Sequence, residues 1–232
     1  MAGNIPKPLR LLNNKPLLQY SIENLDIPEI NEIIVVKGHQ GHLIEDFLQT
    51  VYTKTPLRTA HQPVQDGTVS AIRAGLAAQE KNNHDILIAY ADDSALYSET
   101  TIRDFIEQFE HTKLINPVRV MLKSQSVHPE LAGIEVKNNL VIRVVKRDEL
   151  AKKKIQETYI LCGLMMFRKE TLEDVLPNIA FNINKKEFLF TDFINLLGPK
   201  DLISFSSLTN DYEWNSVNTE MELLAAERKL CQ

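Results

Sequence analysis

The sequence predicts an α/β fold: a mixed, mostly parallel sheet with helices on both faces and a hairpin-rich second half. Three observations point there. Asp85-Ile86-Leu87-Ile88-Ala89-Tyr90 is a short, nearly continuous apolar run, the pattern of a strand buried on both faces of a sheet. Glu32–Lys37 (EIIVVK) is a second such run, and helical patterns alternate with strands from there to Leu122, which is the βαβ rhythm. Beyond residue 133 that rhythm gives way to short strands flanking Asn138-Asn139, a hairpin with an Asn turn. Together these describe a Rossmann-like sheet extended by hairpins.

The elements follow in order. Pro6-Lys7-Pro8-Leu9 is expected to be extended or turned rather than helical, because two prolines fix φ and remove donors. Leu9–Leu12 continues as a short extended piece and Asn13-Asn14 as a turn. Pro16 suits a first helical position, and Leu17, Leu18, Tyr20, Ser21 and Leu25 read as an amphipathic helix. Leu43–Val51 has helical i, i+3, i+4 spacing, Leu57–Ala60 is a short strand, and Thr68–Glu80 is a helix of small residues suited to close packing on a sheet. A helix at about Glu99–Glu110 and a strand at Val118–Leu122 complete the first half. In the second half, Tyr159–Phe167 is a long apolar strand, with helices at Thr171–Leu176 and Glu187–Leu197. A strand at Leu202–Phe205 and a helix at Asn218–Leu230 complete it. No repeat or low-complexity segment interrupts the chain, so residues 1–232 are expected to form one domain.

Composition narrows the function classes. Hydrophobic content of 44% and charged content of 25% are ordinary for a globular protein, and the net charge of −5 gives no overall attraction to nucleic acid. The basic stretch from Lys146 to Lys154 is broken by Asp148 and Glu149, as on a solvated helix face or loop. Cys162 in an apolar run and Cys231 at the end of the sequence suggest neither a disulfide framework nor a zinc site. The start MAGNIPKPLR lacks a signal-peptide core and no apolar run nears membrane-spanning length. The expectation is a cytoplasmic protein without membrane or nucleic-acid partners.

Chemistry concentrates at Asp92-Asp93, where the strand ending at Tyr90 leaves the sheet. Ligands of open α/β sheets bind at the carboxyl ends of strands. A carboxylate there suits Mg²⁺, which takes one or two protein oxygens and completes its shell with phosphate and water. The same pair also suits a helix cap. Gly38-His39-Gln40-Gly41-His42, after the earlier strand, is no G-x-G-x-x-G, which argues against a dinucleotide-dependent oxidoreductase; His39 and His42 lack nearby carboxylate or thiol ligands.

Several stretches, in this order, resemble sugar-1-phosphate nucleotidylyltransferases. They are Pro6-Lys7-Pro8-Leu9 with Asn14-Lys15-Pro16-Leu17-Leu18, Gln62-Pro63-Val64-Gln65-Asp66-Gly67, Tyr90-Ala91-Asp92, Glu187–Asp192 and Val217-Asn218-Thr219. The likeness is to glucose-1-phosphate thymidylyltransferases and N-acetylglucosamine-1-phosphate uridylyltransferases and spans nearly the whole chain. It implies a GT-A-like, nucleotide-diphospho-sugar transferase fold. The implied reaction is Mg²⁺-dependent transfer of a nucleotidyl group from a pyrimidine nucleoside triphosphate to a sugar phosphate, with pyrophosphate leaving. Such an in-line displacement depends on alignment and charge neutralisation.

The resemblance assigns roles. Lys7 would place a fixed positive charge near the phosphates, and Asp92 and Asn218 would hold Mg²⁺ between nucleotide and sugar phosphate. Gln62 pairs a donor with an acceptor suited to a pyrimidine edge, Gly67 lets the backbone approach the base, and Thr68 opens the next helix. Gly133 would pass beneath the sugar and Arg147 would contact its phosphate. Taken singly, Lys7 reads as a surface lysine, Gln62 as a loop amide and Asn218 as an ordinary N-cap. Three departures from the family stand out. Lys146 replaces a glutamate and Leu161 an asparagine at positions that bind sugar groups, which points to an atypical acceptor. Met1 falls where the family's glycine-rich loop would end, so the first strand and that loop are expected to be missing, leaving neighbouring strands with unpaired ladder groups. A non-catalytic, truncated nucleotide-binding relative is therefore the alternative to an enzyme. Oligomeric state is left open.

Overall fold

Pro6 and Pro8 fix the entry of the chain, and Lys7–Leu9 forms one 3₁₀ turn where an extended or turned segment is expected. Proline in the first positions of a helix gives up only an N–H that has no intrahelical partner, so prolines that exclude a long helix still admit a single tight turn. This computed structural model describes residues 5–80, 85–127, 132–210, 212–214 and 220–230, leaving aside the side chains at 220, 225, 229 and 230.

Strands β1 (Leu11–Leu12) and β2 (Lys15–Pro16) close a small hairpin over Asn13 and Asn14, both at positive φ. Then come α1 (Leu17–Leu25), β3 (Ile33–Lys37), α2 (Gly41–Leu48), β4 (Leu57–His61), α3 (Thr68–Ala78), β5 (Ile86–Ala89), α4 (Glu99–Thr112) and β6 (Val118–Ser126). The second half holds β7 (Gly133–Lys137), β8 (Leu140–Val145), α5 (Arg147–Lys152), β9 (Glu157–Phe167), α6 (Lys169–Val175), β10 (Phe181–Asn182), β11 (Glu187–Phe188), α7 (Asp192–Leu197), β12 (Ile203–Ser207) and α8 (Glu220–Leu230). The start of the last expected helix, Asn218-Thr219, lies outside the described residues.

The expected helix over 187–197 is corrected. Glu187 and Phe188 are extended and pair with β10, and only Asp192–Leu197 is helical. Phe188 donates its N–H to Asp66 O at 2.7 Å and bridges Gly67, so a distant loop supplies the backbone partners that a helix would have supplied internally. The hairpin forms around Asn138 and Asn139 at φ 51° and 62°, where the asparagines tolerate the left-handed conformation a tight two-residue turn demands.

Two sheets carry the fold. The larger has six strands in the order β5-β9-β6-β12-β8-β7, with β7 also touching β9 through Ile134 and Tyr159. Strand β9 runs against β5 and β6, and β12 runs with β6, so β5, β6, β12 and β7 share one direction while β8 and β9 oppose it. A separate parallel pair, β3 with β4, runs in register from Ile33–Leu57 to Lys37–His61.

Strand alternation divides the core between the faces of the large sheet. Val118, Val120, Met165 and Phe167 pack with Val69, Phe190 and Phe193 on one side; Met121, Cys162, Leu164 and Met166 pack with Phe105, Phe109 and Trp214 on the other. A third cluster joins Leu18 and Ile22 of α1 to Ile33, Ile44 and Leu48. Among the described residues no helix is long and apolar enough to cross a membrane.

Candidate functional site

The carboxyl end of β5 is a tight turn. Asp93 and Ser94 donate their backbone N–H groups to Tyr90 O at 3.0 and 2.8 Å, which turns the chain out of the sheet and carries Asp92 to its rim. Ser21 of α1 holds the turn from beneath, donating to Ala91 O at 3.1 Å and accepting from Ser94 Oγ at 2.9 Å. Lys7, on the proline-bounded turn, forms an ion pair with Asp92 Oδ2. Both side chains keep about a third of their surface exposed, 30% and 28%, so the pair remains open to a ligand.

Asp93 turns inward instead. Gly163 of β9 sits opposite at φ +67°, and a Cβ there would lie 2.6 Å from Asp93 Oδ2. A glycine inside an otherwise apolar strand is a signal of close approach, and here it makes room for a carboxylate. Cys162, next to it, is buried, and burial pushes its thiol up, far from reactivity near neutral pH.

The base-side loop is ordered by its own polar groups. Gln62 donates its backbone N–H to Lys37 O at 2.8 Å, which ties the loop to the end of β3. Its side-chain Nε2 donates to Gly67 O at 3.0 Å and Ser70 Oγ at 2.7 Å. Gly67 has φ +109° and faces β11 so closely that a Cβ would stand 2.4 Å from Phe188 O. The glycine is therefore needed by the loop's own packing. Asp66 Oδ1 in this loop is buried with no hydrogen-bond partner among the described residues, and a buried acceptor in that state is costly unless something donates to it.

Tyr90 joins the two parts. Its hydroxyl is hydrogen-bonded with Thr68, the first residue of α3. Burial pushes that hydroxyl up to about 12, and the carboxylates of Asp93 and Asp92 act in the same direction. Lys7 and Asp92 at the carboxyl end of β5 are thus linked through Tyr90 to Thr68 and to the Gln62–Gly67 loop that follows β4. The Tyr90–Thr68 link, Ser21 and Gly163 were not selected from sequence, and Asp66 was noted only as part of the Gln62–Gly67 stretch; Gly163 carried a local sign in its place within an apolar run.

The sugar-side residues lie further along β9. Gly133 opens β7 opposite Val145, and a Cβ on it would meet Thr158 Oγ1 at 2.4 Å. Arg147 begins α5 just past β8 and is exposed. Thr158 and Gly163 are both on β9, so Gly133 and Asp93 abut the same strand roughly 16 Å apart at the usual strand rise. Beside Gly133 is a cavity of about 410 Å³ whose walls include Ser124, Glu135, Arg143, Glu149 and Tyr159. Asn218 lies outside the described residues. Elsewhere near the turn after β5, Ser98 Oγ donates to Glu213 Oε1 at 2.9 Å, and Ala226 of α8 belongs to the same buried cluster as Ala95.

This mixed α/β architecture has the fold of the nucleotide-diphospho-sugar transferases. The chain belongs to the MobA-like NTP transferase domain family, whose model matches residues 1–150. It is 27% identical to the bifunctional protein GlmU of Trichormus variabilis over 230 residues, covering 97% of this chain and 48% of that protein. With GlmU of Jannaschia sp. the identity is 26%, covering 98% of this chain and 48% of that one. The chain thus spans about half the length of the curated relatives it matches. Among solved structures, it superposes on UDP-glucose pyrophosphorylase complexed with UDP-glucose with a TM-score of 0.77 and 16% identity, covering 98% of this chain and 90% of that one. HddC from Yersinia pseudotuberculosis gives 0.73 and 16%, covering 99% and 92%. These structural likenesses show the fold, and the motif resemblance to sugar-phosphate nucleotidylyltransferases holds at the level of family.

Proposed function

We propose that this chain transfers a nucleotidyl group from a pyrimidine nucleoside triphosphate to a sugar phosphate, releasing pyrophosphate. The observation that carries the reading is the Lys7–Asp92 pair meeting the Gln62–Thr68 loop across Tyr90. In this reading the accessible carboxylate of Asp92, with Asn218 as a second ligand, would hold Mg²⁺, which when bound would supply positive charge against the phosphates. Lys7, beside Asp92, would supply positive charge to the same phosphates. No general base is needed, because a sugar phosphate is already anionic near neutral pH. Gly133 and Arg147 are assigned to the acceptor, the arginine offering a fork of donors to its phosphate.

The loop suggests which pyrimidine. Gly67 O can only accept, so Gln62 must aim its NH₂ at it, and Oε1 is then the atom available to a base. An acceptor suits the ring N–H of uracil or thymine and meets a lone pair on the corresponding nitrogen of cytosine. The assay is pyrophosphate release with Mg²⁺, UTP, dTTP or CTP, and a panel of sugar 1-phosphates. The expected result is turnover with UTP or dTTP at least tenfold above CTP, and a fall of about 10²-fold or more in Asp92→Asn, the size typical of losing one electrostatic contact in a transition state. Full activity in Asp92→Asn would remove the metal assignment. The other reading, nucleotide binding without turnover, has its own support in the break between β3 and β5 beside the site; saturable UTP binding with no pyrophosphate across the panel would select it.

A further inference from the structure

A short bridge of chain joins the base-side loop to Gly133. Phe188 of β11 donates its N–H to Asp66 O at 2.7 Å, which fastens that strand to the loop. Beyond Thr191, the helix α7 leans on β8: Asn195 Oδ1 accepts the N–H of Val144 at 3.1 Å, and a Cβ on Gly198 would stand 2.1 Å from Ile142 O. Val145, the next residue of β8, is the register partner of Gly133. The start of α7 is thereby held between the residues assigned to the base and those assigned to the acceptor.

Positive charge gathers on this bridge. Lys146 and Arg147 follow β8, Lys185 and Lys186 turn the chain between β10 and β11, and all four are exposed. The turn is a fixed one, with Asn182 Oδ1 accepting the Lys185 N–H at 3.0 Å and Lys186 at φ 54°. Asp148 and Glu187 adjoin Arg147 and Lys186 in sequence, but the carboxylate that Lys146 and Lys185 share is Asp192, the first residue of α7. It is half-buried; burial raises its pKa, and the two lysines act against that rise. Yet neither of these ammonium groups forms an ion pair with a carboxylate among the described residues. The contrast is with the neighbouring Arg143 and Lys153, both bound to Glu149. Two lysines around one carboxylate leave a positive charge unmatched, in a chain whose net charge is −5.

We infer that the acceptor in the proposed transfer is a sugar phosphate bearing a second anionic group, a carboxylate or a further phosphate, which Lys146 and Lys185 hold beside Asp192. The inference rests on that reading for the sugar phosphate and on this cluster for the second group. Ammonium groups only donate, so they offer nothing to the hydrogen of a sugar hydroxyl and most to a charged oxygen. An acceptor with an amine at that place would meet two like charges, so the same pair discriminates against amino sugars.

The test measures binding to the intact chain with Mg²⁺ and the α,β-imido analogue of UTP, so that affinity is read without turnover. The three probes are glucose 1-phosphate, glucuronic acid 1-phosphate and glucose 1,6-bisphosphate. At least one acid-bearing probe is expected to bind about tenfold or more tightly than glucose 1-phosphate, the size of one charge-assisted hydrogen bond. Which of them does so separates carboxylate from phosphate. In Lys146→Gln/Lys185→Gln that advantage should fall to within about twofold, and each single substitution is read in the same way should the pair not fold. Lys152→Gln/Lys154→Gln, which removes the same charge at the far end of α5, should keep the advantage. Equal binding of all three probes, binding of none, an advantage that survives in the first variant, or one lost equally in the second would overturn the inference. Pyrophosphate release with UTP and the same probes tells this failure from failure of the transfer itself. Turnover of glucose 1-phosphate without an acid advantage removes only the second anionic group; acid-selective binding without turnover removes only the transfer.

Discussion

At the residue scale, the turn after β5 depends on one missing methyl group. Gly163 is at φ +67°, and a Cβ would approach Asp93 Oδ2 to 2.6 Å and Asp93 Cβ to 2.7 Å. Alanine there meets both a backbone conformation L-residues resist and a contact that has no room, so Gly163→Ala is expected to cost about 1–3 kcal/mol. The displaced Asp93 would carry its neighbour Asp92 away from Lys7, so activity should fall more steeply than stability. The check is denaturant unfolding alongside nucleotidyl transfer in the same variant; loss of stability with activity intact would mean that the turn does not position Asp92. Cys162→Ser, one residue earlier, leaves Gly163 and its positive φ in place and serves as the comparison for nonspecific damage to β9.

At the element scale, β8 and α5 are clasped by charge. Arg143 of β8 reaches Glu149 of α5 through two bonds of 2.8 and 2.7 Å, and Lys153 adds a third at 2.7 Å. The Arg143 guanidinium, helped by Lys153, lowers the Glu149 carboxyl to about 2 from 4.5. A depressed folded-state value means the clasp stabilises fully above pH 4.5 and is lost as pH falls from 4.5 to 2. Glu149→Gln should therefore lower the thermal midpoint at pH 6, with the difference from the parent closing by about pH 2 and shrinking in high salt, since the pair is on the surface. A difference unchanged across that pH range would assign the effect to packing.

Elements also mark how far sequence reasoning reaches. The apolar runs of β3 and β5, the small-residue helix α3 and the Asn138-Asn139 hairpin were legible because each is determined by its own residues. The segment 187–191 was not, because what decides it is the Asp66-Gly67 loop, over a hundred residues away, where Asp66 O accepts from the Phe188 N–H. The candidate site divides in the same manner. Asp92 and the Gln62–Thr68 loop carried local patterns, whereas the hydroxyl link from Tyr90 to Thr68 and the support of Ala91 by Ser21 arise only when α1, α3 and β5 are stacked together.

At the scale of the whole molecule, the two sheets are joined, among the described residues, through helices and not by strand pairing. The β3–β4 pair contacts the remainder chiefly through α3, which packs on both strands, and through the cluster shared with α1. The six-stranded sheet has apolar cores on both faces, and β6 and β9, its most intimately paired strands, contribute to both. Regions opening with little buried apolar surface at stake do so at lower free energy than the core. The amides of Ile33, Val35 and Lys37, which bond to β4, should therefore exchange through a partial opening of β3, α2 and β4, while the paired amides of β6 and β9 exchange only when the whole molecule unfolds. A gap of about 2 kcal/mol, roughly thirtyfold in exchange rate, is the expected size for a unit held by one helix face and one small cluster. The partial opening should respond weakly to denaturant and the global one strongly, because the slope follows the surface exposed. Equal exchange free energies and equal denaturant slopes at both sets of amides would mean that α1 and α3 alone couple the sheets into one cooperative unit.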